Sequence, residues 1–185
     1  MSDEVVIRHC APTLASIKAG SLFTSRFESE EEMRRSLRGL NQRLRGKGLM
    51  ANPLRWRQGV GLIYLYRPHL LEKELQQTEA LRLLAEFGYT GGQPAAQLRH
   101  LAGRLHAEEG FPHEIGLFLS YPPEDVDGFI RGDREAKCCG AWKVYGDVRR
   151  AQRTFESYKR CTSSYMSRWQ QGWSIEQLIA HSQPA

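Results

Sequence analysis

The chain has no apolar run approaching the roughly 20 residues that a membrane-spanning helix needs, so no span is expected. It has no CxxC pair and no HExxH, the spacings that would announce a zinc site. No stretch rich in proline, glycine and serine divides it, and 185 residues suffice for one domain with its own core, residues 1–185. The opening MSDEVVIRHC does not read as a signal peptide, which leads to the expectation of a cytoplasmic protein. In that compartment four cysteines are expected to serve as thiols, metal ligands or redox groups rather than as structural disulfides.

What the chain does hold is a mild positive excess, +5 with pI about 9.2, much of it in the first 60 residues: Arg26, Arg34, Arg35, Arg38, Arg43, Arg45, Lys47, Arg55 and Arg57. Such a run reads as the solvated face of a helix, and nucleic acid is not the expected partner.

The densest chemistry lies in Phe111 to Asp147, FPHEIGLFLSYPPEDVDGFIRGDREAKCCGAWKVYGD. Ile115 to Leu119 is an apolar run bounded by Pro112 and by Tyr121-Pro122-Pro123, the pattern of a short buried strand with His113 and Glu114 at its entrance. Pro123-Glu124-Asp125 has the composition of a first helical turn, and Val126, Phe129 and Ile130 supply an apolar face ending near Gly132. Ala141 to Tyr145 reads as a further strand, after which Asp147 opens a long helix to about Gly172.

Elsewhere, Pro12 predicts a helix from about residue 11 to Lys18, closed by Gly20, with Cys10 at its N-terminus. Ser29 and Glu32 have capping-box spacing, and Met33, Leu37, Leu40 and Leu44 form the apolar stripe of a helix that stops at Gly46-Lys47-Gly48; Pro53 then indicates a loop. Val60 to Tyr66 is the strongest strand signal, and its near-continuous apolarity predicts a central strand covered on both faces. Helices are expected over His69–Phe87 and Pro94–Glu109, and Ser174 with Gln177 starts a short last one. His69, His100 and His106 fall at no ligand spacing and read as surface or packing residues. The fold class is therefore α/β or α+β, a helix-rich domain around a small sheet of at least three strands.

The blocks HCAPTLASIKAGSLF, GLIYLYRP, FPHEIGLFLSYPPEDVDGFI and CCGAWKVYGD resemble the signature blocks of an uncharacterised bacterial domain-of-unknown-function family, found mainly in anaerobic Gram-positive bacteria. The resemblance covers most of the chain and implies a small stand-alone cytosolic protein. It brings no established activity, cofactor or catalytic residue.

Read from the residues, three functions compete. A thiol enzyme would use Cys10 at a helix N-terminus as nucleophile, His113 as base, and Glu114 or Asp147 to orient the imidazole; this order resembles papain-like enzymes at the level of fold analogy. A metal- or haem-binding protein would draw on His9, Cys10, His113, Glu114 and Cys139, and a redox version on Cys138, Cys139 or Cys161. A binding module without chemistry would use the same segments as turns and packing devices. Lys143, Tyr145 and Asp147 alternate along one strand face, where they could grip an anionic ligand or cofactor phosphate, or simply form the solvated side of an edge strand.

Overall fold

The computed structural model describes residues 1–107 and 110–179. The first helix, α1 (Asp3–Leu14), starts earlier than the position of Pro12 suggests. Ser2 caps it by accepting the Val5 N–H, Asp3 and Glu4 complement the positive end of its dipole, and Pro12 is accommodated in the last turn. Val6, Ile7 and Cys10 are thus helical residues on one buried face, and Cys10 lies inside the helix rather than at its N-terminus.

Strand β1 (Gly20–Arg26) follows, then α2 (Glu30–Leu44) with Ser29 as its cap and the expected Met33, Leu37, Leu40, Leu44 stripe buried. Strands β2 (Met50–Arg57) and β3 (Val60–Tyr66) complete an antiparallel sheet in the order β1-β3-β2. Pro53, expected in a loop, belongs to β2: an edge strand tolerates the missing N–H, and the pairing register shifts at Pro53/Arg55. Gln58 and Gly59, both with positive φ (49° and 76°), make the two-residue hairpin turn between β2 and β3.

The expectation for β3 holds. Ile63 and Leu65 face a core shared with Phe23, Ala51, α1 and α2, while Leu62, Tyr64 and Tyr66 face a second core built from the helices after the sheet. Those helices are α3 (Pro68–Leu75), α4 (Thr78–Glu86), α5 (Pro94–His106), α6 (Ile115–Phe118) and α7 (Pro123–Arg131). The single helix expected over 69–87 is broken at Gln76-Gln77, which lets α3 pack on α5 and α6 while α4 packs on α7. Glu108 and Glu109, the expected end of α5, lie outside the described residues.

The segment 115–119 is a helical turn, not a strand. Ile115, Gly116, Leu117 and Phe118 are all buried, so a turn enclosed on every side carries the same unbroken apolar run as a buried strand. The strand expected over 141–145 shrinks to β5 (Lys143–Val144), which pairs with β4 (Cys138–Cys139) in a separate hairpin. Helix α8 (Val148–Gln170) begins at its Asp147 cap, and α9 (Ile175–Leu178) has the full Ser174/Gln177 capping box. The first half of α8 packs on the β4–β5 hairpin through Ala151, Phe155 and Tyr158; the second half covers the first core through Cys161, Tyr165 and Trp169. The fold is α+β. No helix among the described residues is long and apolar enough to cross a membrane.

Candidate functional site

The turn before α6 is built by N–H groups of Ile115 and Gly116 donating to the carbonyls of Pro112 and His113. It sends two consecutive side chains in opposite directions. Glu114 is fully buried and accepts from Tyr89 Oη (3.1 Å) and Arg104 Nε (2.5 Å). Burial and this carboxylate together push the Tyr89 hydroxyl far above the usual phenol range. His113 is exposed and meets the Phe129 ring edge-on at 4.9 Å between centroids, with the Phe111 ring 6.4 Å away. Glu114 therefore binds Arg104 and Tyr89 and does not orient His113.

Asp125 in the first turn of α7 organises the opposite wall. Its carboxylate is 3 % exposed; Oδ2 accepts Trp142 Nε1–H at 2.7 Å, and Oδ1 accepts the Tyr145 and Gly146 N–H groups, each at 2.7 Å. Three donors clamp the β4–β5 hairpin onto α7. Gly128 permits the same approach, since a Cβ there would lie 2.6 Å from Tyr145 Cγ. Trp142 is thereby held in a stack with Tyr121 (4.8 Å) and edge-on to Phe155 (4.5 Å).

Between these walls is a cavity of about 410 Å³. Ile115, Leu119, Val126, Tyr121 and Trp142 form its apolar interior, and Phe111, Phe129, His113 and Lys143 stand around it. Phe111 (47 %) and Phe129 (39 %) are among the few exposed large apolar side chains, and Lys143 Nζ lies over the Phe129 ring at 5.4 Å from its centroid. Asp125 also lines the cavity, but it is buried and already accepts three N–H groups, so the exposed polar side chains offered to a ligand are the imidazole and the ammonium. A space of this size and lining suits a small molecule with an apolar body.

A family model described as "Protein of unknown function (DUF3793)" matches residues 6–179. The chain belongs to the DUF3793 family. No curated protein and no solved structure matches it. The matched span takes in both walls of the cavity, and its description attaches no activity to them.

Of the residues singled out in the sequence, His113 and Lys143 are brought together, each against the Phe129 ring. The others go elsewhere. Cys10 is fully buried in the first core, and burial pushes its thiol far above the ordinary range, the reverse of the activation expected at a helix N-terminus. His9 is exposed on α1 and stacks on Phe23 with ring centroids 6.1 Å apart. Cys139 is exposed, Cys138 and Cys161 are half-buried, and all four cysteines are free; burial raises Cys161 to about 11. Among the described residues no group of three or more His, Cys, Asp or Glu is placed to hold a metal ion. Tyr145 is buried against α7 beneath Arg134, and Asp147 caps α8 by accepting the Arg150 N–H at 3.0 Å, so the expected row of Lys143, Tyr145 and Asp147 is not one strand face. The backbone N–H groups of the α8 start hold the Asp147 carboxyl below the usual range.

Sequence reasoning passed over Asp125, Tyr121 and Phe129 as site residues. Asp125 looked like an acid complementing a helix dipole, and nothing in its neighbours signals a bond to an indole 17 positions away. The aromatics carried the one usable signal, because Phe111 and Phe129 bracket all of the cavity lining except Trp142 and Lys143.

Proposed function

We propose that this protein is a binding module for a small amphipathic acid, an aromatic or aliphatic body carrying one anionic group, held in the cavity between α6, α7 and the β4–β5 hairpin. The observation that carries the reading is a cavity of about 410 Å³ whose interior is aliphatic and aromatic and whose exposed polar side chains are Lys143 and His113. The apolar body would be sandwiched by Phe129, Tyr121 and Trp142, and the acid would face the ammonium at the entrance. Exposed aromatics around a concavity expose apolar surface to water, which a bound apolar group relieves. We place the protein in the cytoplasm, where free thiols such as the exposed Cys139 persist in reduced form.

The test uses 1-anilinonaphthalene-8-sulfonate, which has an aromatic body and one negative charge. Titrated into the native protein it should saturate at one site with enhanced fluorescence. Lys143→Gln should weaken binding about tenfold, roughly 1.4 kcal/mol, as expected for loss of one charge-assisted contact. Phe129→Ala should weaken it to a similar degree, and circular dichroism should show both variants folded, because both side chains are exposed. Equal affinity in the wild type and both variants would place the dye elsewhere and dispose of the proposal.

A further inference from the structure

A second, polar site shares a wall with the apolar cavity. Tyr121 lines both the cavity and a recess of about 110 Å³, and Trp142 lines the cavity and a recess of about 170 Å³. The two recesses adjoin, having Glu74, Ser120, Pro122 and Arg150 in common. Elements far apart in sequence supply these residues. Glu74 stands near the end of α3, and Ser120 follows α6 with a left-handed φ of 59°, where its Oγ accepts the Ala19 N–H at 2.9 Å and ties α6 to the chain after α1. Pro122 and Pro123 set the start of α7, and Arg150 lies in the first turn of α8, which Asp147 caps. Each recess exceeds the roughly 10–15 Å³ that one water needs and falls short of the roughly 300 Å³ of a pocket for a drug-sized molecule. A ligand here has only a few non-hydrogen atoms.

Two ionisable side chains in this space are left without a contact. Glu74 Oε2 is buried and has no hydrogen-bond partner among the described residues. The Arg150 guanidinium makes no hydrogen bond or ion pair among the described residues, and Asp147 acts on it electrostatically without touching it. Glu74 and Arg150 thus line the same two recesses and do not join in an ion pair. A carboxylate oxygen held from water without a donor is costly, and burial raises the Glu74 carboxyl accordingly. Lys18 does not fill the gap: its Nζ lies over the Tyr121 and Tyr158 rings, 5.6 Å from each centroid, and it lines neither recess.

The charges around the space select the occupant. A bare anion would meet Glu74 and, in the larger recess, Glu124 and Asp147. A metal ion would meet Arg150, and no group of three or more His, Cys, Asp or Glu among the described residues is placed to hold one. A molecule with a cationic donor at one end and a carboxylate at the other satisfies both orphans, because charge-assisted bonds are the strong ones and a guanidinium matches a carboxylate. Ala80, Leu117 and Pro123 leave an apolar wall for a short side chain.

We propose that these recesses bind a small zwitterion, an α-amino acid with a short side chain, its ammonium donating to Glu74 and its carboxylate accepting from Arg150. The ligand's own two charges stand where the protein leaves its acid and base apart. This site is separate from the one assigned to the amphipathic acid.

The experiment titrates L-alanine into the full chain by calorimetry, beside L-alaninamide, which lacks the carboxylate, N-acetyl-L-alanine, which lacks the ammonium, and glycerol, which has neither charge. L-alanine should bind at one site, and the two analogues at least tenfold more weakly, since each gives up one charged contact. Arg150→Gln, at an exposed position whose backbone N–H still bonds Asp147, should weaken L-alanine about tenfold and leave L-alaninamide unchanged. Glu74→Gln should weaken L-alanine and L-alaninamide and leave N-acetyl-L-alanine unchanged. Lys143→Gln should leave L-alanine binding intact, which separates failure here from failure of the apolar cavity. Equal affinity for L-alanine and its two analogues, tighter binding of glycerol, no heat from L-alanine at millimolar concentration, or loss of L-alanine binding in Lys143→Gln each overturns the proposal. The ranking of the four probes on the wild type and the Arg150→Gln result decide the question even where Glu74→Gln fails to fold.

Discussion

At the residue scale, the heaviest structural demand falls on Asp125. A buried carboxylate that accepts three N–H groups is stable only while all three remain, and each donor depends on the carboxylate in turn. Asp125→Ala should cost roughly 3–5 kcal/mol, because it orphans the Trp142 indole and two backbone N–H groups in a water-poor site. Asp125→Asn keeps the shape and one acceptor oxygen and should cost less than half as much. Urea unfolding monitored by Trp fluorescence measures both, and equal losses would show that the charge and the second acceptor oxygen, which Asn lacks, carry the whole effect and that shape contributes little. Lys18 shows the contrasting case of a side chain kept at a disadvantage. Its depressed value means that folding penalises the ammonium form below about 8 and that the penalty fades as pH rises towards the unfolded lysine value.

At the scale of elements, Arg43 joins three helices. From near the end of α2 it reaches Asp3 at the start of α1 with two nitrogens and Glu176 in α9 with a third. The hydrogen bond from Arg43 holds the Glu176 carboxyl down to about 2. A carboxyl depressed in the folded state contributes stability that is complete above its unfolded value, roughly 4.3, and is lost as pH falls towards 2. These groups are partly exposed, so solvent screening limits the contribution to about 1 kcal/mol. Arg43→Ala should lower the thermal midpoint at pH 7 by a few degrees and by much less at pH 2. A midpoint difference that stays constant over that range would mean the arginine acts through packing. Elements also show where local signals mislead: the helical turn at Ile115–Phe118 and a buried strand share one apolar pattern, and tertiary enclosure alone distinguishes them.

For the whole molecule, the sheet divides two cores, and Cys10 lies in one of them, packed among α1, α2 and α9. Iodoacetamide should therefore modify Cys139 within minutes in the native protein and leave Cys10 untouched until the chain unfolds, with the Cys10 rate rising in step with the urea transition. Modification of Cys10 at the rate of Cys139 would refute this packing. The residues alone declared the central strand, because Val60–Tyr66 is apolar on both faces, and they declared α2, α7, α8 and α9, whose caps and stripes are local chemistry written in three or four neighbours. Edge strands β1 and β2 escaped detection, since β1 alternates weakly and β2 carries a proline that only an edge permits. His113 and Lys143 were legible as chemistry-bearing residues, but their meeting at Phe129 was not, because it depends on how α7 and the hairpin are clamped by Asp125. Lys18 read as no more than the end of a helix, and only the approach of Ser120, 101 positions later, and of Tyr121 and Tyr158 makes its surroundings unusual. Capping and periodicity act within a few residues and survive in any context. Burial, pairing across the chain and the energies of charged groups arise when distant segments exclude water together, and those belong to the tertiary structure.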